Sequence, residues 1–159
     1  MNLQDYLLDS AGLRWSELLR EWHWLLPPEI SVWFATKAGD VFITLPDATI
    51  HMLDVGAGTL TKVAQNRGDF AFKADEPGVG EDWLMSPIVD QLVSQGVILE
   101  PGQCYSFRTL PTLGGTYGPE NRMPFPIREH FGAWGSVQGQ IAKLPDGTQV
   151  EIKPVDDTR

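Results

Sequence analysis

The sequence predicts an α+β fold, a central mainly antiparallel sheet packed by helices in a single domain, and three observations carry that prediction. Short β-rich runs alternate with turn residues after the first thirty or so positions, helix-spaced apolar residues follow them, and no linker, repeat or low-complexity stretch separates the two. With 159 residues, 42% of them hydrophobic and six tryptophans among them, the chain has enough apolar material for one well-filled core.

Residues 1–28 form an N-terminal helical segment. Ser10 is placed to cap a helix on which Leu13, Leu18, Leu19, Trp22 and Leu25 fall mainly on one face, and Pro27 and Pro28 end it. Trp22 and Trp24 stand two positions apart, so on one helix they cannot both face the same core. One of them is exposed, packs in a second cluster, or lies outside the helix. Three short strands follow at 32–35, 41–45 and 50–53, separated by turn residues at 37–40 and 46–49, as in an antiparallel meander. The turn Gly56-Ala57-Gly58 leads into a short strand at 59–63 and a helix at 66–73.

An acidic, glycine-rich loop at 75–80 precedes a single helix at 81–94, marked by Trp83, Leu84, Ile88, Leu92 and Val93, with Gly96 placed to end it in a left-handed conformation. Pro101-Gly102 turns the chain into a strand at 104–107. Beyond it, Pro111, Gly114-Gly115 and Gly118-Pro119 supply the backbone angles of a tight, shaped loop. Residues 123–131 read as an edge strand or loop, and 135–144 as a last helix. A turn at 143–148 then leads to a half-buried final strand at 149–153, and 154–159 is a loose tail.

Twelve basic against 21 acidic residues leave a net charge of −9, which opposes attraction to phosphate backbones and anionic lipid. Direct nucleic acid and membrane are therefore not expected partners; the acidity serves solubility or attracts a basic protein. No run approaches the roughly 18 apolar residues that cross a bilayer, and residues 1–10 are acidic and polar where a signal peptide needs basic ones, so a cytoplasmic location is expected. The single cysteine, Cys104, cannot form an internal disulfide.

Catalytic patterns fail on detail. Gly56-Ala57-Gly58-Thr59 lacks the third glycine of a dinucleotide loop, where Thr61 stands, and no P-loop lysine follows; Asp54 adds an adverse charge, so a structural turn is expected and no cofactor. Cys104 would need His51 or His130 as a base, yet between Gln103 and Tyr105 in a strand it reads as a small buried hydrophobe. His23, His51 and His130 lack metal-ligand spacing, and no nucleophile elbow is present. Glu129-His130 reads as an acid and base pair or as an exposed charge beside a buried ring. No catalytic, metal or cofactor residues are expected. The loop from Cys104 to Asn121 instead offers Tyr117, Glu120 and Asn121, which suit hydrogen bonding and recognition.

Several runs carry a resemblance over Trp33 to Lys153: Gly39-Asp40-Val41-Phe42, the stretch from His51 to Leu60, Trp83-Leu84-Met85, Pro101-Gly102-Gln103-Cys104-Tyr105, Leu113-Gly114-Gly115 with Tyr117, and Leu144-Pro145-Asp146-Gly147. Together they place the region 31–153 as similar to the C-terminal domain of type VI secretion immunity proteins that neutralise DNase effectors. That family resembles the SUKH superfamily of α+β immunity and regulatory binding proteins. Ahead of the matched region those immunity proteins carry a substantial domain, where residues 1–28 stand here. The resemblance implies a non-catalytic, immunity-like binding protein whose partner is a toxin or effector such as a basic nuclease. Contact candidates are Tyr117, Glu120 and Asn121 with acidic Asp75, Glu76 and Glu81. The rival reading is a small enzyme or ligand-binding protein using the Gly56-Ala57-Gly58 turn with Asp54, His51 or Glu129, and a third is a homodimer joined through exposed aromatics.

Overall fold

The fold was taken from a computed structural model that describes residues 2–145. The expected strand at 149–153, the tail at 154–159 and the end of the turn before them lie outside the described residues. Four strands, β1 (Ser31–Ala35), β2 (Val41–Thr44), β3 (Ile50–Asp54) and β4 (Thr59–Ala64), pair in chain order as an antiparallel meander. Period-2 alternation splits their side chains between two cores. Val41, Ile43 and Leu53 pack with Leu19, Trp22, Ile127 and Phe131, whereas Phe42, Ile50 and Ala64 pack with Phe70 and Leu84. The second core is aromatic: Phe34 stacks on Phe42 at 4.6 Å and Phe70 on Trp83 at 4.7 Å between ring centroids.

On that second face lie α2 (Arg67–Ala74) and α3 (Val79–Leu84), followed by α4 (Ser86–Ser94). Asn66 caps α2 by accepting the Asp69 N–H at 2.8 Å, as its residue type favours. The single helix expected at 81–94 is two. Met85 adopts a left-handed φ of 51° between α3 and α4, and Pro87, which has no N–H and restricts the residue before it, sits in the first turn of α4 where neither property costs a helical bond. Gly96 closes this region with φ of 80°, as expected.

A two-stranded antiparallel sheet pairs β5 (Gln103–Phe107) with β6 (Arg122–Pro126), so the segment from 122 is a strand and not a loop. Helix α5 (Ile127–Ala142) starts directly after Pro126, well before the expected position at 135. Its glycines conceal it in sequence because glycine disfavours helix interiors by about 1 kcal/mol. Their purpose is contact: a Cβ at Gly135 would lie 2.7 Å from Trp22 Nε1, and one at Gly139 2.9 Å from Trp24 Nε1.

The same contact reshapes the N-terminal segment. In place of one long helix there is a single turn, α1 (Trp15–Leu18), then a 3-10 turn over Arg20–Trp22. The break at Leu19, with φ −98° and ψ 12°, aims two indoles at α5. Trp22 Nε1 donates to the Phe131 carbonyl at 2.9 Å and Trp24 Nε1 to the Gly135 carbonyl at 3.2 Å, and the two rings stack at 5.8 Å. Trp24 thus lies outside the helix and is exposed, two of the three alternatives its spacing left open.

Candidate functional site

The loop between β5 and β6 is built around Asn121. Its Nδ2 donates to the carbonyls of Thr109 and Thr116, both at 2.7 Å, while its Oδ1 accepts the Thr109 N–H at 3.0 Å. Gly115 is required beside it, because a Cβ there would lie 2.8 Å from that amide nitrogen. Arg122, 3% exposed, locks the loop's far end by donating to the carbonyls of Ala38 at 2.8 Å and Tyr117 at 3.2 Å, with its guanidinium 3.9 Å above the Phe107 ring. Burial lowers its pKa, opposed by the nearby Asp40 carboxylate. Asp40 is itself buried and accepts the Val55 N–H at 3.1 Å; burial first, then the Asp54 charge, pushes its pKa up to about 7.

Tyr117 is held edge-on to Phe107 and sends its hydroxyl to Asp54, 3.3 Å away. Burial and then that carboxylate push the phenol's pKa well up, so it stays a donor. Glu120 is exposed and accepts from the Thr116 hydroxyl, which lowers its pKa. Asp75 and Glu76 are exposed just after α2.

Tyr117 and Glu81 come together at a groove of about 810 Å³ between β3, β4, α3 and α4. Met52, Met85, Ile88 and Trp83 supply apolar lining, and Asp54 and Asp82 join Glu81 as its carboxylates. Glu120, Asn121, Asp75 and Glu76 are not among the lining residues. Asp54 enters the sequence reading as an adverse charge beside the glycine turn and as a member of the rival ligand site there, not of an acidic groove, and the one hint of Asp82 is its place next to Glu81.

The glycine turn is occupied by its own fold. Ala57 N–H donates to Asp54 Oδ1 at 3.1 Å and Gly58 N–H to the Asp54 carbonyl at 2.8 Å, so neither amide is available to an anion. From α5, Gln138 Nε2 donates to the carbonyls of Val55 at 2.9 Å and Gly56 at 3.1 Å. A Cβ at Gly58, whose φ is +67°, would meet that glutamine at 2.9 Å. The turn therefore serves close packing, as a structural reading of it expects.

The titratable groups considered for catalysis are equally committed. Cys104 is fully buried, and burial drives its thiol pKa far up, away from the reactive thiolate. His130 Nε2 lies 2.8 Å from the Gly39 carbonyl, which can only accept, so that nitrogen carries the proton. Nδ1 then accepts from Ser106 Oγ at 2.7 Å, and Ser106 accepts from Trp134 Nε1 at 2.9 Å. Ser106 and His130 have the spacing of a nucleophile and base but are 1% and 0% exposed, with no route for a substrate. Burial brings His130 down to about 4, so the relay is that of a neutral imidazole tying α5 to β5 and to the turn before β2. His51, also lowered by burial, shares a hydrogen bond of 2.9 Å with the Thr49 hydroxyl. Glu129, next to His130 in sequence, is exposed and forms no pair with it.

The family model described as the T6SS immunity protein Tdi1, C-terminal, matches residues 64–137. This stretch runs from the end of β4 into α5 and includes Glu81, Asp82, Trp83, Tyr117 and Asn121, so the resemblance read from the sequence is borne out there. No curated protein and no solved structure matches the chain.

Proposed function

We propose, taking as premise that residues 64–137 are similar to the C-terminal domain of a type VI secretion immunity protein, that this chain neutralises a secreted bacterial toxin by binding it directly in the cytoplasm, without turnover. The family match is the observation that carries the reading. Supporting it, the matched stretch holds the shaped β5–β6 loop and one wall of the acidic groove, while the buried Cys104, Ser106 and His130 are spent on packing and hydrogen bonding. No helix among the described residues is long and apolar enough to cross a membrane.

The contact set proposed comprises Tyr117, Glu120 and Glu81 with Asp75 and Glu76, and Asn121 contributes by holding the loop that presents Tyr117. A nuclease is the favoured toxin class, because a basic substrate cleft complements a chain of net charge −9. Co-expression with the secreted effector encoded nearest this gene tests the proposal: the chain should restore growth, and the purified effector should raise its melting temperature by binding only the folded state. Growth arrest despite full expression, together with stabilisation by a nucleotide, metal or sugar instead, would overturn it in favour of a small-ligand site.

A further inference from the structure

Taking the immunity reading as given, we infer that the groove between β3, β4, α3 and α4 is the docking face, and that it receives an arginine-bearing basic segment of the protein partner. Its carboxylates come from two separate elements, Asp54 at the end of β3 and Glu81 and Asp82 on α3. Acidic residues in the first turn of a helix are commonly explained by its dipole, but that leaves Asp54, across the groove, without the same account. Among the described residues no lysine or arginine lines this groove and none of the three carboxylates forms an ion pair, the ion pairs there being Arg14–Glu17, Lys73–Asp69 and Arg128–Glu17. Other grooves contain cations of their own, Arg14 and Arg128 in one and Arg67 in another. The buried Arg122 guanidinium acts on Asp54 from within the fold, whereas Glu81 and Asp82 have no lysine or arginine beside them among the groove's described lining residues.

Asp54 is also set in place before any partner arrives, because its carboxylate accepts the Ala57 N–H and lies against the Tyr117 hydroxyl. Trp83 and Tyr117 add aromatic surface to the groove that holds the acids, and Met52 lines it from the sheet. A planar guanidinium suits that combination, since it binds carboxylates through a fork of N–H donors and packs its flat face on aromatic rings. A lysine ammonium uses only the charge. The occupant named by these groups is a protein segment with exposed arginine, and nucleic acid is disfavoured by the same charges.

Labelled hexa-arginine, followed by fluorescence anisotropy, is the first probe, and the effector encoded nearest the gene is the second. The unaltered chain is compared first with Asp54→Asn/Glu81→Gln/Asp82→Asn and with a control altered in the N-terminal segment, Glu21→Gln/Glu29→Gln, and then with a milder groove variant. Both probes should bind the groove variant at least about tenfold more weakly, whereas the control should stay within about twofold. The milder Glu81→Gln/Asp82→Gln, at two exposed positions, should weaken both by about threefold and covers the case in which altering Asp54 perturbs its turn. Equal weakening in groove and control variants, or no hexa-arginine binding by the unaltered chain, overturns the docking face. Effector binding that is tight and identical in all of these proteins also overturns it while leaving the immunity reading intact. Hexa-arginine binding lost in the groove variant, with no effector binding by any of them, sinks the immunity reading and keeps the groove as a basic-peptide site.

Discussion

Asp40 and His130 are both buried and both titrate away from their ordinary values, in opposite senses. Asp40 moves from 3.8 to about 7, so over that interval the unfolded chain sheds a proton that the fold retains. Its contribution to stability falls as pH rises, and the loss is complete above about 7. His130 moves from 6.5 to about 4; its contribution is complete above 6.5 and is lost as pH falls toward 4. The two slopes offset each other across much of the acid range. Asn at position 40 keeps an acceptor for the Val55 N–H but has no proton to lose. Asp40→Asn should therefore gain stability relative to the unaltered chain as pH rises from about 4.5 to about 7.5, measured by urea unfolding at each pH. A difference independent of pH would refute the assignment.

Ser106 offers a second test at the same scale, because removing its hydroxyl orphans the Trp134 N–H and His130 Nδ1 together. Ser106→Ala should cost about 1–3 kcal/mol in chemical denaturation. Nothing in the sequence paired Ser106 with His130, which lie in β5 and α5; only the packing of that strand against that helix brings them into contact.

Among the elements, the strands of the meander were legible because alternation of side chains and their turn residues are local signals. The register is pinned by the same pattern, with Val41 opposite Leu53 and Ile43 opposite His51. Helix limits set by a distant element are less legible in the sequence. The glycines of α5 argue against a helix by propensity, yet Gly135 is where the Trp22 indole enters. Gly135→Ala should consequently destabilise by about 1–3 kcal/mol through overpacking, despite alanine's better helix propensity. Gly132, whose Cβ would meet nothing within 4 Å, provides the contrast: Gly132→Ala should stabilise by about 0.4–1 kcal/mol. Thermal unfolding of the pair separates contact from propensity, and equal effects of the same sign would exclude the contact explanation. Met85 belongs to the same class, since the helical periodicity of 81–94 runs straight through the residue at which the chain reverses into a left-handed conformation.

For the whole molecule, net charge is the property with the longest reach. A chain of −9 would steer the basic partner proposed for it during approach, and added salt screens such attraction over a Debye length of about 8 Å at physiological strength. Association with the effector should slow by about tenfold between about 20 mM and about 300 mM salt, with dissociation changing much less. Stopped-flow rates unaffected by salt would remove steering from the account.

The α+β class, the three-strand meander with a short strand after it, the left-handed end at Gly96, the acidic balance and the family resemblance are legible in the sequence alone, because each is a local pattern or a sum over composition. The limits of α1 and α5, the bracing of its loop by Asn121, and the meeting of Asp54, Glu81, Asp82 and Tyr117 at one groove come from packing. The helix limits and the groove rest on residues dozens of positions apart, and the Asn121 brace on bonds to Thr109 and Thr116, 12 and 5 positions away. Their partners are chosen by how two faces of one sheet are covered, and no spacing along the chain records that choice.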